Sequence, residues 1–267
     1  MRDTKSIAEI RAASRIWAVG AVHGDADRLI ALHDLLEPRI AARDALVYLG
    51  NYLGHGPGVL QTVEELLDFR RRVLAHPPLR IAADIVHLRG SQEEMWQKLL
   101  QLQFASDARA ILNWVLSRGV EATLQAYGGD ADAGGRAAVG GTMSLNEWTR
   151  GLRESVRGHA GHDAFFAALK RAAASADHAA LFVNCGIDIE RPLAAQSDAF
   201  WWAGRSFGDI VAPYEGYRRI VRGYDPEHGG FAETAFTATV DGGCGFGGTL
   251  IAACFGPAGD VVDRIEV

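Results

Sequence analysis

The chain has 267 residues, 48% of them apolar, and a formal net charge of −6. This is enough apolar material for one large α/β domain with a substantial core. The acidic balance leaves no basic stripe of the kind that grips nucleic acid, and no apolar run approaches the ~20 residues that span a bilayer.

Arg15–Val19 reads as a short buried strand and opens onto Gly20-Ala21-Val22-His23-Gly24. Residues 45–49 form a second strand, followed by Gly50-Asn51-Tyr52-Leu53-Gly54-His55-Gly56-Pro57. After Gly58, Val59, Leu60, Val63, Leu66, Leu67 and Val73 recur at helical spacing, and Arg70-Arg71-Arg72 near the end of that helix reads as a solvated face. Residues 85–88 form a third strand, leading into Arg89-Gly90-Ser91-Gln92-Glu93-Glu94. This β-loop-α repetition sets three glycine-bearing loops at the carboxyl ends of adjacent strands, where α/β sheets commonly place their sites. From about residue 93 to 177 the pattern is helical and irregular. Helices are predicted over 95–104, 108–116 and 164–174, and an exposed, mobile loop over the glycine-rich 128–141. Strands return after Ala179 and end in 234–240, 249–255 and 261–267. No composition shift marks a second domain, so residues 1–267 read as one domain with a helical insertion over about 93–177.

The three glycine loops, in this order and spacing, resemble the GDxHG, GDxxDRG and GNHE signatures of the calcineurin-like metallophosphoesterases. Further matches lie downstream. Trp114 through Gly128, Pro192-Leu193 with Gln196 and Phe200-Trp201-Trp202, and Asp241-Gly242-Gly243 with Gly247-Gly248-Thr249-Leu250 resemble segments of the bacterial serine/threonine and diadenosine-polyphosphate phosphatase branch. The resemblance covers nearly the whole chain. It implies a four-layer α/β/β/α sandwich of two mixed sheets flanked by helices, and in the family two divalent metals such as Mn, Fe or Zn.

The positions that would hold those metals are mostly filled by other residues. Ala21 stands for the first Asp, Asn51 for the bridging Asp, Ser91 for the Asn, Gln92 for the adjacent catalytic His, and Asn184 and Tyr224 for two later histidines. Arg222 replaces another histidine of that last stretch, and His55 the phosphate-gripping Arg; of the ligands only His23 is retained. A bridging carboxylate offsets the repulsion between two dications, and a neutral amide does not. A stable catalytic site also needs about three protein ligands, which His23 alone cannot supply. The resemblance therefore points to a pseudophosphatase with neither catalytic nor metal-binding residues, acting as a regulatory or binding protein toward a protein partner or a phosphorylated ligand. Its pocket would be lined by His23, Asn51, His55, Gln92, Asn184, Arg222 and Tyr224. The alternative is a weak or altered metal-dependent phosphoesterase acting on phosphoprotein or a dinucleoside polyphosphate, using His23, Asp25 or His228.

Plainer roles stand beside these. His23 is expected to hydrogen-bond backbone at a strand end, and the Gln92 amide to pair with Asn51 or Asn184. Asp25 and Asp27 suit a helix N-terminus. Asp225, Glu227 and His228 read as a polar turn, Trp201-Trp202 as a strand pair with one ring inward, and Gly242 to Gly248 as turns. Cys185, Cys244 and Cys254 form no paired framework and show no CxxC spacing. With a charged N-terminus over Met1 to Ile10, they suggest a reducing, cytoplasmic setting without a secretory leader or membrane anchor.

Overall fold

The computed structural model describes residues 7–11, 13–75 and 81–267; most of the N-terminal stretch considered above, residues 1–6, lies outside them. Two mixed sheets form its centre. In the first, β1 (Ile7–Ile10), β5 (Ala172–Ser175), β6 (Ala180–Val183), β7 (Arg219–Arg222), β9 (Thr237–Thr239) and β8 (Ala232–Glu233) lie side by side in that order. In the second the order is β11 (Val261–Glu266), β10 (Ile251–Phe255), β2 (Arg15–Val19), β3 (Asp44–Tyr48) and β4 (Ile85–His87). β2, β3 and β4 are mutually parallel, as are β6, β7 and β9, while β10 runs antiparallel to β2.

Side-chain alternation explains the layers. Successive residues of a strand point to opposite faces. Ile16 and Ala18 of β2, Ala45 and Val47 of β3, and Ile251, Ala253 and Phe255 of β10 meet Ala173, Phe182, Val221 and Ala238 of the other sheet. The intervening Trp17, Val19, Leu46 and Tyr48 face a helical layer. On the far side, Leu181, Val183 and Ile220 meet Phe200, Trp201, Phe207 and Tyr214. The four-layer sandwich follows: helices, sheet, sheet, helical cover.

The helical layer comprises α1 (Ala26–Leu36), α2 (Val59–Ala75), α3 (Ser91–Leu100), α4 (Ala108–Val115), α5 (Glu121–Ala126), α6 (Ala131–Gly140), α7 (Thr142–Gly158) and α8 (His162–Ala168); α9 (Ala199–Trp202) covers the other face. Among the described residues no helix is long and apolar enough to cross a membrane. Asp25 caps α1 by accepting from the Arg28 backbone N–H, the helix-start role expected of it.

Several elements depart from expectation. The predicted loop over 128–141 contains α6, capped by Asp130, whose side chain accepts from Ala133 N. Gly134 is buried because a Cβ there would meet Trp148 Cζ2 at 2.7 Å, so helix packing uses the missing side chain. The helix predicted over 164–174 stops at Ala168, and Ala172–Ser175 is strand. Its alanines are buried between β1 and β6, where small side chains permit close sheet packing. The helical segment therefore ends before residue 177. The helix predicted over 95–104 begins earlier, at Ser91, and a separate short turn covers Leu102–Phe104. Trp201 and Trp202 lie on α9 rather than on a strand, with Trp201 buried and Trp202 exposed.

Candidate functional site

The carboxyl ends of the parallel strands of both sheets converge. The Asn184 side chain joins them directly: its Nδ2 donates to Leu49 O at 2.8 Å, and its Oδ1 accepts from Ser91 N at 3.1 Å. Ala21 N donates to Gly223 O, and Gly223 N and Tyr224 N both donate to Asn184 O. Close approach requires glycine here. A Cβ on Gly90 would lie 2.2 Å from Asn51 Oδ1, and Gly50 has φ +89°. Four of the six non-glycine residues with positive φ among the described residues, His23, Asn51, His55 and His228, lie in these loops. Left-handed backbone costs such residues about 1–3 kcal/mol each and persists where surrounding structure imposes it.

Glu93 does much of the imposing. It is buried, and its carboxylate accepts backbone N–H groups from Asn51 (2.9 Å), Tyr52 (2.8 Å), Leu53 (3.1 Å) and Gly90 (2.8 Å). Burial raises its pKa and the four hydrogen bonds oppose that rise. The signal available in sequence is a Glu three residues after the start-of-helix glycine, the spacing at which a side chain reaches back to cap its own helix.

Inside this frame Asn51 Oδ1 accepts from Ser91 Oγ and from Gln92 N, each at 3.1 Å. The Gln92 side chain turns elsewhere: Nε2 donates to Arg118 O at 2.8 Å and lies 3.2 Å from His55 Nε2. The expected pairing of its side-chain amide with Asn51 or Asn184 is therefore corrected, and only its backbone meets Asn51. His55 is held in turn by Gly119, whose Cβ, were there one, would sit 2.4 Å from the imidazole.

His23 is buried, and neither ring nitrogen has a hydrogen-bond partner. The expected bond from its ring to the backbone does not form; the Leu53 backbone is close enough to favour the charged ring weakly but not at bonding geometry. Its pKa lies well below the ordinary imidazole range, first because of burial and then because of His55 and His228. Aromatic rings surround it: His55 at 5.1 Å, Tyr224 at 5.5 Å and Phe246 at 5.1 Å between centroids. Phe246 also contacts His55 (4.4 Å) and His228 (4.1 Å), so one phenyl ring joins three imidazoles. Burial pushes the Tyr224 hydroxyl up to about 12.

Arg222 is not directed at His23. Its guanidinium donates to Thr239 Oγ1 and Gly204 O, pairs with Asp225 at 3.0 Å and stacks over Phe207. Asp225, Glu227 and His228 form a turn: Asp241 accepts from Asp225 N at 2.8 Å and faces His228 Nδ1 at 3.3 Å. Hydrogen-bond and ring contacts thus bring His23, Asn51, His55, Gln92, Asn184 and Tyr224 together, while Arg222 is engaged beside them. Phe246, Glu93 and the Asp241–His228 pair escaped the sequence reading. Phe246 sits in a glycine run read only as turns, and its contacts with His23 and His55 join distant parts of the chain, with no local signal.

Two dications would need anionic or strongly donating ligands at this end of the sheets. The residues present do not fit. Ala21 offers no donor atom, the Asn51 and Asn184 oxygens already accept protein hydrogen bonds, and the Tyr224 phenol keeps its proton at neutral pH. Among the described residues no three His, Cys, Asp or Glu side chains bring donor atoms within 4.8 Å of one another here.

No protein-family model matches the sequence, and no curated protein does. Solved structures do match by shape. One, provisionally assigned as a diadenosine tetraphosphatase, is 17% identical, has a TM-score of 0.53, and is matched over 97% of this chain and 98% of that one. A protein serine/threonine phosphatase from Saccharomyces cerevisiae with similarity to human phosphatase PP5 is 14% identical with a TM-score of 0.54, over 98% of this chain and 82% of that one. A cold-active protein-tyrosine phosphatase of a psychrophilic Shewanella is 14% identical with a TM-score of 0.51, over 98% and 83%. Such distant likeness speaks to architecture and not to activity. The glycine loops, the two mixed sheets with their helical layers and these neighbours together identify the architecture: the chain has the calcineurin-like metallophosphoesterase fold.

Proposed function

We propose that the protein is a catalytically inactive pseudophosphatase: it keeps the metallophosphoesterase fold, lacks a dinuclear metal site, and acts as a binding or regulatory protein. One observation carries this reading. Asn51, at the position where the family resemblance would set a bridging carboxylate, is neutral, and its oxygen is committed to Ser91 and Gln92. Neutral amides and hydroxyls can satisfy one another in a buried space where bare carboxylates would repel. Without the dications there is neither a lowered water pKa nor a clamp on phosphoryl oxygens.

The surroundings favour a protein partner over a phosphorylated ligand. Arg222 is spent on Asp225, and burial holds His23 and His55 toward the neutral form. Trp114 and Trp202, 39% and 41% exposed, contact each other at 5.7 Å and offer the aromatic surface that protein interfaces use. The three unpaired, buried cysteines suit a reducing compartment such as the cytoplasm.

Tag-free protein assayed with Mn2+ against p-nitrophenyl phosphate, a phosphopeptide and diadenosine tetraphosphate should give no turnover above buffer, and His23→Ala should change nothing. Turnover abolished by His23→Ala would overturn the proposal. It would establish the second reading, a metal-dependent phosphoesterase, whose one support is the pair of unpartnered nitrogens on His23.

A further inference from the structure

A different histidine cluster lies in the helical layer. Glu64 projects from α2, His159 follows the end of α7, and His162 opens α8. Each offers a donor atom, and these atoms all lie within 4.8 Å of one another. The chain between the histidines is shaped to bring them together. Gly161 takes φ +85°, and the two imidazoles stack with centroids 5.1 Å apart at 28°. The same turn lies against α2, where a Cβ on Gly161 would meet Leu67 Cδ1 at 3.0 Å.

His162 shows what the cluster lacks. Its side chain is fully buried, yet Nε2 has no hydrogen-bond partner. Nδ1 lies 2.7 Å from the Tyr127 hydroxyl. A buried polar nitrogen left unpaired costs about 1–3 kcal/mol, so one on a ring that stands beside a carboxylate and a second imidazole calls for an explanation. Metal-binding histidines characteristically give their other ring N–H to an outer acceptor, which fixes the tautomer and frees a lone pair for the ion. Tyr127 is placed to be that acceptor.

We propose that Glu64, His159 and His162 form a mononuclear site for a divalent transition-metal ion of the zinc class. Two imidazoles and one carboxylate are a three-ligand set that zinc accepts, with water completing the tetrahedron. Bonds of about 2.0–2.1 Å put the donors roughly 3.4 Å apart, so donors that lie within 4.8 Å of one another close by at most about 1.4 Å. Glu64 is exposed and free to make that movement, while His162 stays anchored by Tyr127. The ion would tie α2 to the α7–α8 junction and so brace the helical layer against the sheet. The site shares no residue with the loops around His23.

The test uses tag-free, chelator-treated full chain titrated with Zn2+ alone by calorimetry, with the visible spectrum of Co2+ as a report of coordination. One ion per chain is expected, with a four-coordinate Co2+ spectrum and a Zn2+-dependent rise in Tm. His162→Ala removes the anchoring ligand but carries a folding risk. Glu64→Gln and His159→Gln alter an exposed and a half-buried position, and each should weaken Zn2+ binding at least tenfold while leaving the metal-free Tm near that of the parent. Unchanged affinity in both of these variants, or binding lost in His23→Ala instead, overturns the site. The His23→Ala result also separates this proposal from the pseudophosphatase reading, which it does not require.

Discussion

His23 and His162 are both buried imidazoles with an unpartnered nitrogen, and their surroundings differ in charge. His23 is enclosed by His55, Tyr224 and Phe246, with neutral amides beyond. His162 has a hydroxyl on one nitrogen, and an exposed carboxylate and a second imidazole stand beside its ring. The first region has tightly constrained loops lined by imidazole, phenol and neutral amides. The second has donors without that loop geometry. Backbone shape and ligand capacity are thus separately encoded: glycines and left-handed residues set the first, and the identity of a few side chains sets the second.

The strongest way to break the comparison is to remove what holds the His23 loops in shape. Glu93→Ala would leave four buried N–H groups unpaired. At about 1–3 kcal/mol each, chemical denaturation should show a loss of at least about 4 kcal/mol. A loss under 1 kcal/mol would mean that the loops keep their form without it. Next comes Asn51→Asp. It would bury a charge beside Glu93, which accepts the backbone N–H of the same residue, and in chelator-treated protein it should cost about 3 kcal/mol, less at pH 5 than at pH 8. Full stability of this variant at pH 8 would mean that the surroundings carry the added charge without a metal, and would remove the basis of the contrast.

The legibility of these features in the sequence follows their range. The motif loops and the buried strands were readable because glycine spacing and short apolar runs are local; that Trp17 and Val19 take one face and Ile16 and Ala18 the other is settled by the two layers they meet. Helix α6 was not, because its glycines and alanines have no apolar stripe and its stability comes from the Asp130 cap and from Trp148 packed on Gly134. Ala172–Ser175 misleads because alanine favours helices in isolation, while burial between two strands decides otherwise. Asn51, where the resemblance would set an Asp, is visible in the chain, but the Phe246 ring beside His23 is a tertiary fact. So is the meeting of Glu64 with His159 and His162, only two of which share a local spacing.

A smaller effect uses a third imidazole, half-buried at the end of β4 with its Nε2 shielded from water. His87 stacks on Tyr48 at 4.8 Å with Nε2 unpartnered, and its pKa is pushed down to about 3 by burial, then by Arg70 and His33. Unfolded, the ring takes a proton near pH 6.5; folded, only near 3. Between those values the unfolded state holds more protons, so the stability present above 6.5 is lost as the pH falls. By pH 5 this one residue should account for a loss of about 1–2 kcal/mol, and His87→Phe should flatten the Tm–pH profile by that amount. An unaltered profile would place the acid sensitivity in the buried histidines His23, His33 and His162.

The gentlest perturbation addresses the His23 pocket directly. Phe246 is 44% exposed, so Phe246→Ala should change stability by no more than about 1 kcal/mol. Its ring nevertheless lies against His23, His55 and His228 together. Removing it admits water to His23, whose low pKa is caused first by burial. The expected result is an upward shift of the His23 titration followed by NMR, with the parent ring silent from pH 6 to 8. If His23 in the variant stays silent down to pH 5, water exclusion comes from the loops and not from Phe246, and the ring is a neighbour of the pocket rather than its lid. If the ring titrates and added Mn2+ still leaves its resonances unbroadened, the missing element is anionic donors rather than access, which is the distinction between the two histidine regions.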